Sequence, residues 1–137
     1  MNASLIKFAT VAGRTLLALI FITSGFSKLT GIDAAAAYIA SAGLPAPVLL
    51  AVVSGALELL AGVALAIGFK ARGAASLLAV FTAVATVVFH AYWSAPADQQ
   101  FVQQLMFMKN VSIIGGLLTV AALGAGLFSF DARRARG

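Results

Sequence analysis

Six side chains in this sequence could do chemistry: Arg14, Lys28, Glu58, His90, Lys109 and Asn110. Each lies in or at the edge of a long apolar run, where an ionisable group costs roughly 2.5–3.5 kcal/mol at the centre of a membrane helix. Glu58 is the most exacting case. It is the tenth residue of LLAVVSGALELLAGVALAIGF, Leu49 to Phe69, and a carboxylate so short and so central reaches neither membrane surface. With each run centred on the bilayer, Glu58 falls at the midplane and Arg14 about 7 Å to one side. Lys28, His90 and Lys109 fall roughly 10–14 Å to the other. One acid beneath several cations, with the amide of Asn110 among them, suits an outward-facing pocket for a small oxyanion or a ligand carbonyl, with Glu58 as its floor and best candidate for proton handling. No residue pattern marks a metal site.

Each placement also has a structural reading. Glu58 can simply pair with Arg14 between helices. Arg14, Lys28 and Lys109 carry stems long enough to snorkel to an interface, and His90 stands near Tyr92 and Trp93, the residue types of a headgroup belt.

The elements that must position these groups follow from composition. Of 137 residues, 62% are hydrophobic and only 9% charged, and the mean hydropathy of +1.05 lies outside the range of water-soluble domains. Four apolar runs, at about residues 8–29, 47–69, 73–93 and 105–128, each match the ~30 Å of a hydrocarbon core. They predict an all-α membrane protein of one domain, a four-transmembrane-helix bundle. A short interfacial helix is expected between the first two spans, capped by Asp33, ended by Gly43 and closed off by Pro45 and Pro47. A cleavable signal peptide, with Lys7 and Arg14 as its basic region and Ala34 to Ala37 as its cleavage site, is the alternative for the first run; Lys28 and Asp33 in the gap argue against it. The link between the second and third spans is only Lys70 to Arg72, so those helices are antiparallel neighbours.

Helical spacing predicts which residues share a face. These sets are Arg14, Ala18, Phe21, Gly25 and Lys28; Ala51, Gly55, Glu58 and Gly62; Ser76, Ala79, Ala83, Thr86 and His90; and Lys109, Ser112, Gly116 and Thr119. Small and hydroxylated residues beside each polar group are what close helix packing or a small polar cavity requires.

Charge placement gives the topology. Lys7, Lys70, Arg72 and the tail arginines Arg133, Arg134 and Arg136 fall on one side, whereas the other loops carry Asp33 and Asp98. Both termini are therefore expected in the cytoplasm, with the chain in the plasma (inner) membrane. The net charge of +5 is dispersed and forms no stripe that would track nucleic acid. With no cysteine and one histidine, the chain cannot itself run thiol chemistry, ligate an iron–sulfur cluster or supply two histidines to a haem.

Arg14, the segment FITSGFSKLTG, the tripeptide GLP at Gly43 to Pro45, ALELLAGVALAIGF around Glu58, KARGAA, His90 and MKNVSIIGGLL from Met108 together resemble the DoxX family of small four-helix bacterial membrane proteins, over about Thr10 to Asp131. The resemblance implies a membrane subunit: some members are described as subunits of thiosulfate:quinone oxidoreductase, others as membrane partners of redox-stress enzymes. On that reading the chain is an accessory or quinone-interacting subunit with no intrinsic cofactor, an oxidoreductase component if an enzyme at all. Glu58 or His90 would exchange protons with a quinone, and Arg14, Lys109 and Asn110 would hydrogen-bond its carbonyls. Two other classes remain: a small-solute permeation module gated by Glu58 and oligomerised through small-residue faces such as GGLLTVAALGAG, and a scaffold whose charges only fix helix register.

Overall fold

The computed structural model describes residues 2–135, so Arg136 of the basic tail lies outside the described residues. Six α-helices follow in order: α1 (Ala3–Thr30), α2 (Ile32–Ser41), α3 (Pro47–Ile67), α4 (Ala71–Phe89), α5 (Gln100–Leu123) and α6 (Phe130–Arg134), with a 3₁₀ turn at Tyr92–Ser94. The four long helices α1, α3, α4 and α5 are long and apolar enough to span a membrane, as the four runs predict. No strand occurs among the described residues.

The ends of the helices are set by local chemistry. Asn2 caps α1, its side chain accepting from the Leu5 amide at 2.9 Å. Gly31 holds the junction between α1 and α2, and Asp33 sits in the first turn of α2 without acting as its cap, a correction to the expected Asp33 cap. Pro47 opens α3 at a position where its missing N–H is not needed. Four boundaries differ from expectation by four or five residues, the first being the start of α1 at Ala3 instead of about residue 8. The third span ends as an α-helix at Phe89, because His90 leaves helical geometry and Tyr92–Ser94 tighten into the 3₁₀ turn. The fourth starts at Gln100 and stops at Leu123, because Gly124 and Gly126, both at positive φ, turn the chain before Phe128.

α1 packs most extensively on α3 and α4 on α5, with α3 against α4 joining the pairs. The core is largely alanine: Ala18, Ala61, Ala74, Ala75 and Ala79 with Phe21, Leu65, Leu78 and Leu117. Large apolar side chains such as Phe8, Leu60 and Leu123 point outward instead. In lipid, apolar side chains gain little by turning inward, so small residues that allow backbones to approach occupy the interior. α2 folds across one end of the bundle, burying Ala36 and Ile39 against Ala51, while Tyr38 stacks on Phe89 with ring centroids 5.0 Å apart.

Candidate functional site

The register between α1 and α3 is set by glycine. A Cβ on Gly25 would stand 2.5 Å from the Leu59 amide nitrogen, and one on Gly62 would stand 3.0 Å from Ile22, so the two backbones touch where these glycines lie. That contact brings Glu58 level with Ser24 and Lys28, one turn apart on the same face of α1. Lys28 Nζ donates to Glu58 Oε2 at 2.8 Å, and Ser24 Oγ donates to Oε2 at 3.1 Å and to Oε1 at 3.3 Å. The carboxylate side chain is 7% exposed and that of Lys28 28%, so the pair opens on the lysine side. Lys28 Nζ also lies 5.4 Å from the centroid of the Phe81 ring on α4, within cation–π range.

Glu58 therefore pairs with Lys28, not with Arg14. In the antiparallel register that brings Ser24 opposite Glu58, Arg14 lies ten residues, about 15 Å of helix rise, nearer the end that holds both termini. There it is buried, and its guanidinium donates to three carbonyls: Nε to Ala66 at 3.1 Å, Nη1 to Ala125 and Nη2 to Phe128 at 3.3 Å. These carbonyls belong to the last turn of α3 and the segment after α5, groups that helix ends and turns leave unpaired. One planar five-donor fork suits that task.

Two of the remaining sequence candidates, Asn110 and His90, form further rungs between α4 and α5. Asn110 Nδ2 donates to Thr86 Oγ1 at 3.0 Å, and Thr86 Oγ1 donates to the Thr82 carbonyl at 2.6 Å. His90 Nδ1 lies 2.8 Å from Gln103 Oε1 at the end of α4, beside the edge-to-face rings of Tyr92, Trp93 and Phe107. Lys109 joins neither rung: it is exposed, with Nζ 3.3 Å from Met106 Sδ. The packed faces of α1 and α3 are those expected from spacing, with Arg14, Ala18, Phe21 and Gly25 buried on one and Ala51, Gly55, Glu58 and Gly62 on the other. On α4, Thr82 replaces Ala83, and Ser76 is exposed. On α5 the packed face runs through Asn110, Ile113, Leu117 and Val120, leaving Lys109, Ser112 and Thr119 exposed. A compact amide satisfied by one hydroxyl packs between helices more readily than a lysine, which can keep its ammonium at the surface.

Sequence reasoning passed over Ser24, Gln103 and Asp131. Ser24 was legible as the residue one turn before Lys28. Asp131 was not, because its partners are sixty residues away: its Oδ1 accepts from the Lys70 amide at 2.7 Å and its Oδ2 from the Ala71 amide at 2.9 Å, capping α4 from the far end of the chain.

Four antiparallel spans around an alanine core, with an intramembrane ion pair, define a small polytopic α-helical membrane protein. The chain belongs to the DoxX family, whose model matches residues 9–91. It is 38% identical over 120 residues to the inner membrane protein YphA of Escherichia coli K12, covering 88% of this chain and 86% of that one. Inner membrane protein YqjF of the same organism is 36% identical over 121 residues, 88% of each chain. A shorter likeness, 34% over 70 residues, links half of this chain to 23% of the Surfeit locus protein 4 homolog of Schizosaccharomyces pombe. No solved structure matches the chain.

Proposed function

We propose that this protein is an inner-membrane subunit that binds a quinone at the Ser24–Lys28–Glu58 cluster and serves as the membrane accessory of a redox enzyme. The observation that carries the reading is the Lys28–Glu58 pair, buried on the carboxylate side and part-open on the ammonium side. The donor set fits a quinone headgroup: an ammonium with N–H donors to spare for a carbonyl, a carboxylate steadied by the Ser24 hydroxyl to hold or pass a proton, and the flat ring of Phe81 alongside. When bound, a quinone supplies the electron-carrying ring that the chain lacks. Lys28, whose ammonium has N–H donors beyond the one given to Glu58, orients the carbonyl, Ser24 steadies the carboxylate, Glu58 takes the proton at its less engaged Oε1, and the tight α1–α3 contact keeps water from the carboxylate. A free oxyanion fits less well, since of the two cations expected to lack counter-ions Lys28 is engaged by Glu58 and Lys109 stands exposed on α5, outside the cluster.

Mass spectrometry of the organic extract of gently purified protein, wild type against Glu58→Gln at equal loading, tests this. About one quinone per chain in wild type and loss in the variant is the expected result; equal traces in both overturn it. One observation favours a second reading, a scaffold without a small ligand: every buried polar side-chain atom among the described residues has a partner. Retention of enzyme-complex assembly by the double variant Lys28→Met/Glu58→Met would support the scaffold.

The basic residues at the end shared by both termini support a cytoplasmic location for that end.

A further inference from the structure

We infer that the end of the bundle holding both termini carries a built site for an anionic phospholipid headgroup, formed by Lys70 and Arg72 of the α3–α4 turn and Arg133 and Arg134 of α6. This does not depend on the quinone reading. The four side chains are exposed and come from segments sixty residues apart in sequence. What brings the two segments together is Asp131. Its carboxylate accepts from the Lys70 and Ala71 amides, and its own amide donates to the Gly68 carbonyl at 2.9 Å, so α6 is clasped onto the start of α4 by bonds in both directions. Lys70 is held at φ 45, a left-handed conformation that a lysine adopts only when its surroundings fix it. Arg72 extends over the end of α5, where a Cβ on Gly124 would lie 3.3 Å from its Nε.

Among the described residues Asp131 is the acid at this end, and both its oxygens are occupied by backbone donors, so the four cations lack a side-chain ion pair. The apolar residues of the same segment decide the kind of anion. Phe128 is 64% exposed and Phe130 55%, immediately before Arg133 and Arg134, and the Arg133 guanidinium lies 5.9 Å from the Phe128 ring centroid. Bulky exposed rings next to arginines, at the level where a spanning helix ends, match the boundary between acyl chains and phosphates. A lipid phosphodiester meets both halves of that surface, and several basic residues acting together give selective attraction to anionic lipid.

Native mass spectrometry of the full-length protein in detergent, titrated with phosphatidylglycerol and separately with phosphatidylcholine, tests the site. Wild type is expected to retain phosphatidylglycerol in preference, and Arg133→Gln/Arg134→Gln to weaken that retention on the order of tenfold. Asp131→Ala is the decisive variant. It raises the net positive charge, so diffuse attraction predicts tighter phosphatidylglycerol binding; a site that depends on the α6 clasp predicts weaker binding. Equal retention of the two lipids, unchanged or tighter binding by Asp131→Ala, or displacement of the lipid by inorganic phosphate at comparable concentration would each overturn the proposal.

Discussion

Glu58 is held by two donors from one neighbouring helix, and that arrangement sets what its loss should cost. Removing Lys28 alone leaves a buried carboxylate with only the Ser24 hydroxyl, whereas removing both charges leaves neither group unpaired. Lys28→Met is therefore expected to destabilise the protein by about 1–3 kcal/mol, and Lys28→Met/Glu58→Met by clearly less, read from detergent-dependent thermal unfolding in a double-mutant cycle. Arg14 presents the opposite case, a charge held by neutral carbonyls. Lysine keeps the charge but is a point donor that cannot span three carbonyls from two segments, so Arg14→Lys should be nearly as destabilising as Arg14→Gln in the same assay. Near-wild-type stability of Arg14→Lys would show that the charge alone matters there.

At the scale of helices, glycines divide into those that carry a contact and those that do not. A methyl group on Gly25 would meet the Leu59 amide nitrogen at 2.5 Å and the Gly55 carbonyl oxygen at 2.6 Å, so Gly25→Ala must push α1 off α3 and take Ser24 and Lys28 away from Glu58. A loss of about 1–3 kcal/mol, together with loss of any ligand at the cluster, is expected. Gly13 and Gly115 are helical with open space around them, and alanine at either should stabilise by up to about 1 kcal/mol through helix propensity. Equal effects at Gly25 and Gly115 in thermal unfolding would contradict the α1–α3 register. Gly68 is constrained twice, by φ 71 and by Ser129 Cβ 2.5 Å from where its own Cβ would be, because α3 must turn there under the segment that Arg14 holds.

For the whole molecule, four antiparallel spans put both termini on one side, and the basic residues of that side predict that it faces the cytoplasm. The chain has no cysteine, so single-cysteine labelling reads this directly. In intact cells an impermeant maleimide is expected to modify Ala97→Cys, in the exposed α4–α5 loop, and to spare Ala135→Cys until the membrane is opened. The reverse pattern would invert the topology. The outward-facing Phe, Leu and Val side chains give the bundle a lipid-contacting surface on its long sides, and the clasp of α6 onto α4 gives it a basic rim at one end.

The four spans, the helix between the first two, and the packed faces of α1 and α3 were determined by sequence alone, because a bilayer imposes a fixed length on apolar runs and a helix imposes a fixed period on its faces. So was the singular position of Glu58, which no snorkelling could relieve. The identity of its partner was decided only by tertiary structure. Helical spacing places Arg14 and Lys28 on the same face of α1, and the choice between them depends on an axial register that the contacts of Gly25, Gly55 and Gly62 with the facing helix set. The packed face of α5 was likewise hidden, since Lys109 and Asn110 are adjacent and only the position of Thr86 across the interface selects the amide. Asp131 and Arg14 do their work on backbone groups far away in the chain, and backbone groups leave no mark on the side-chain pattern from which a sequence is read.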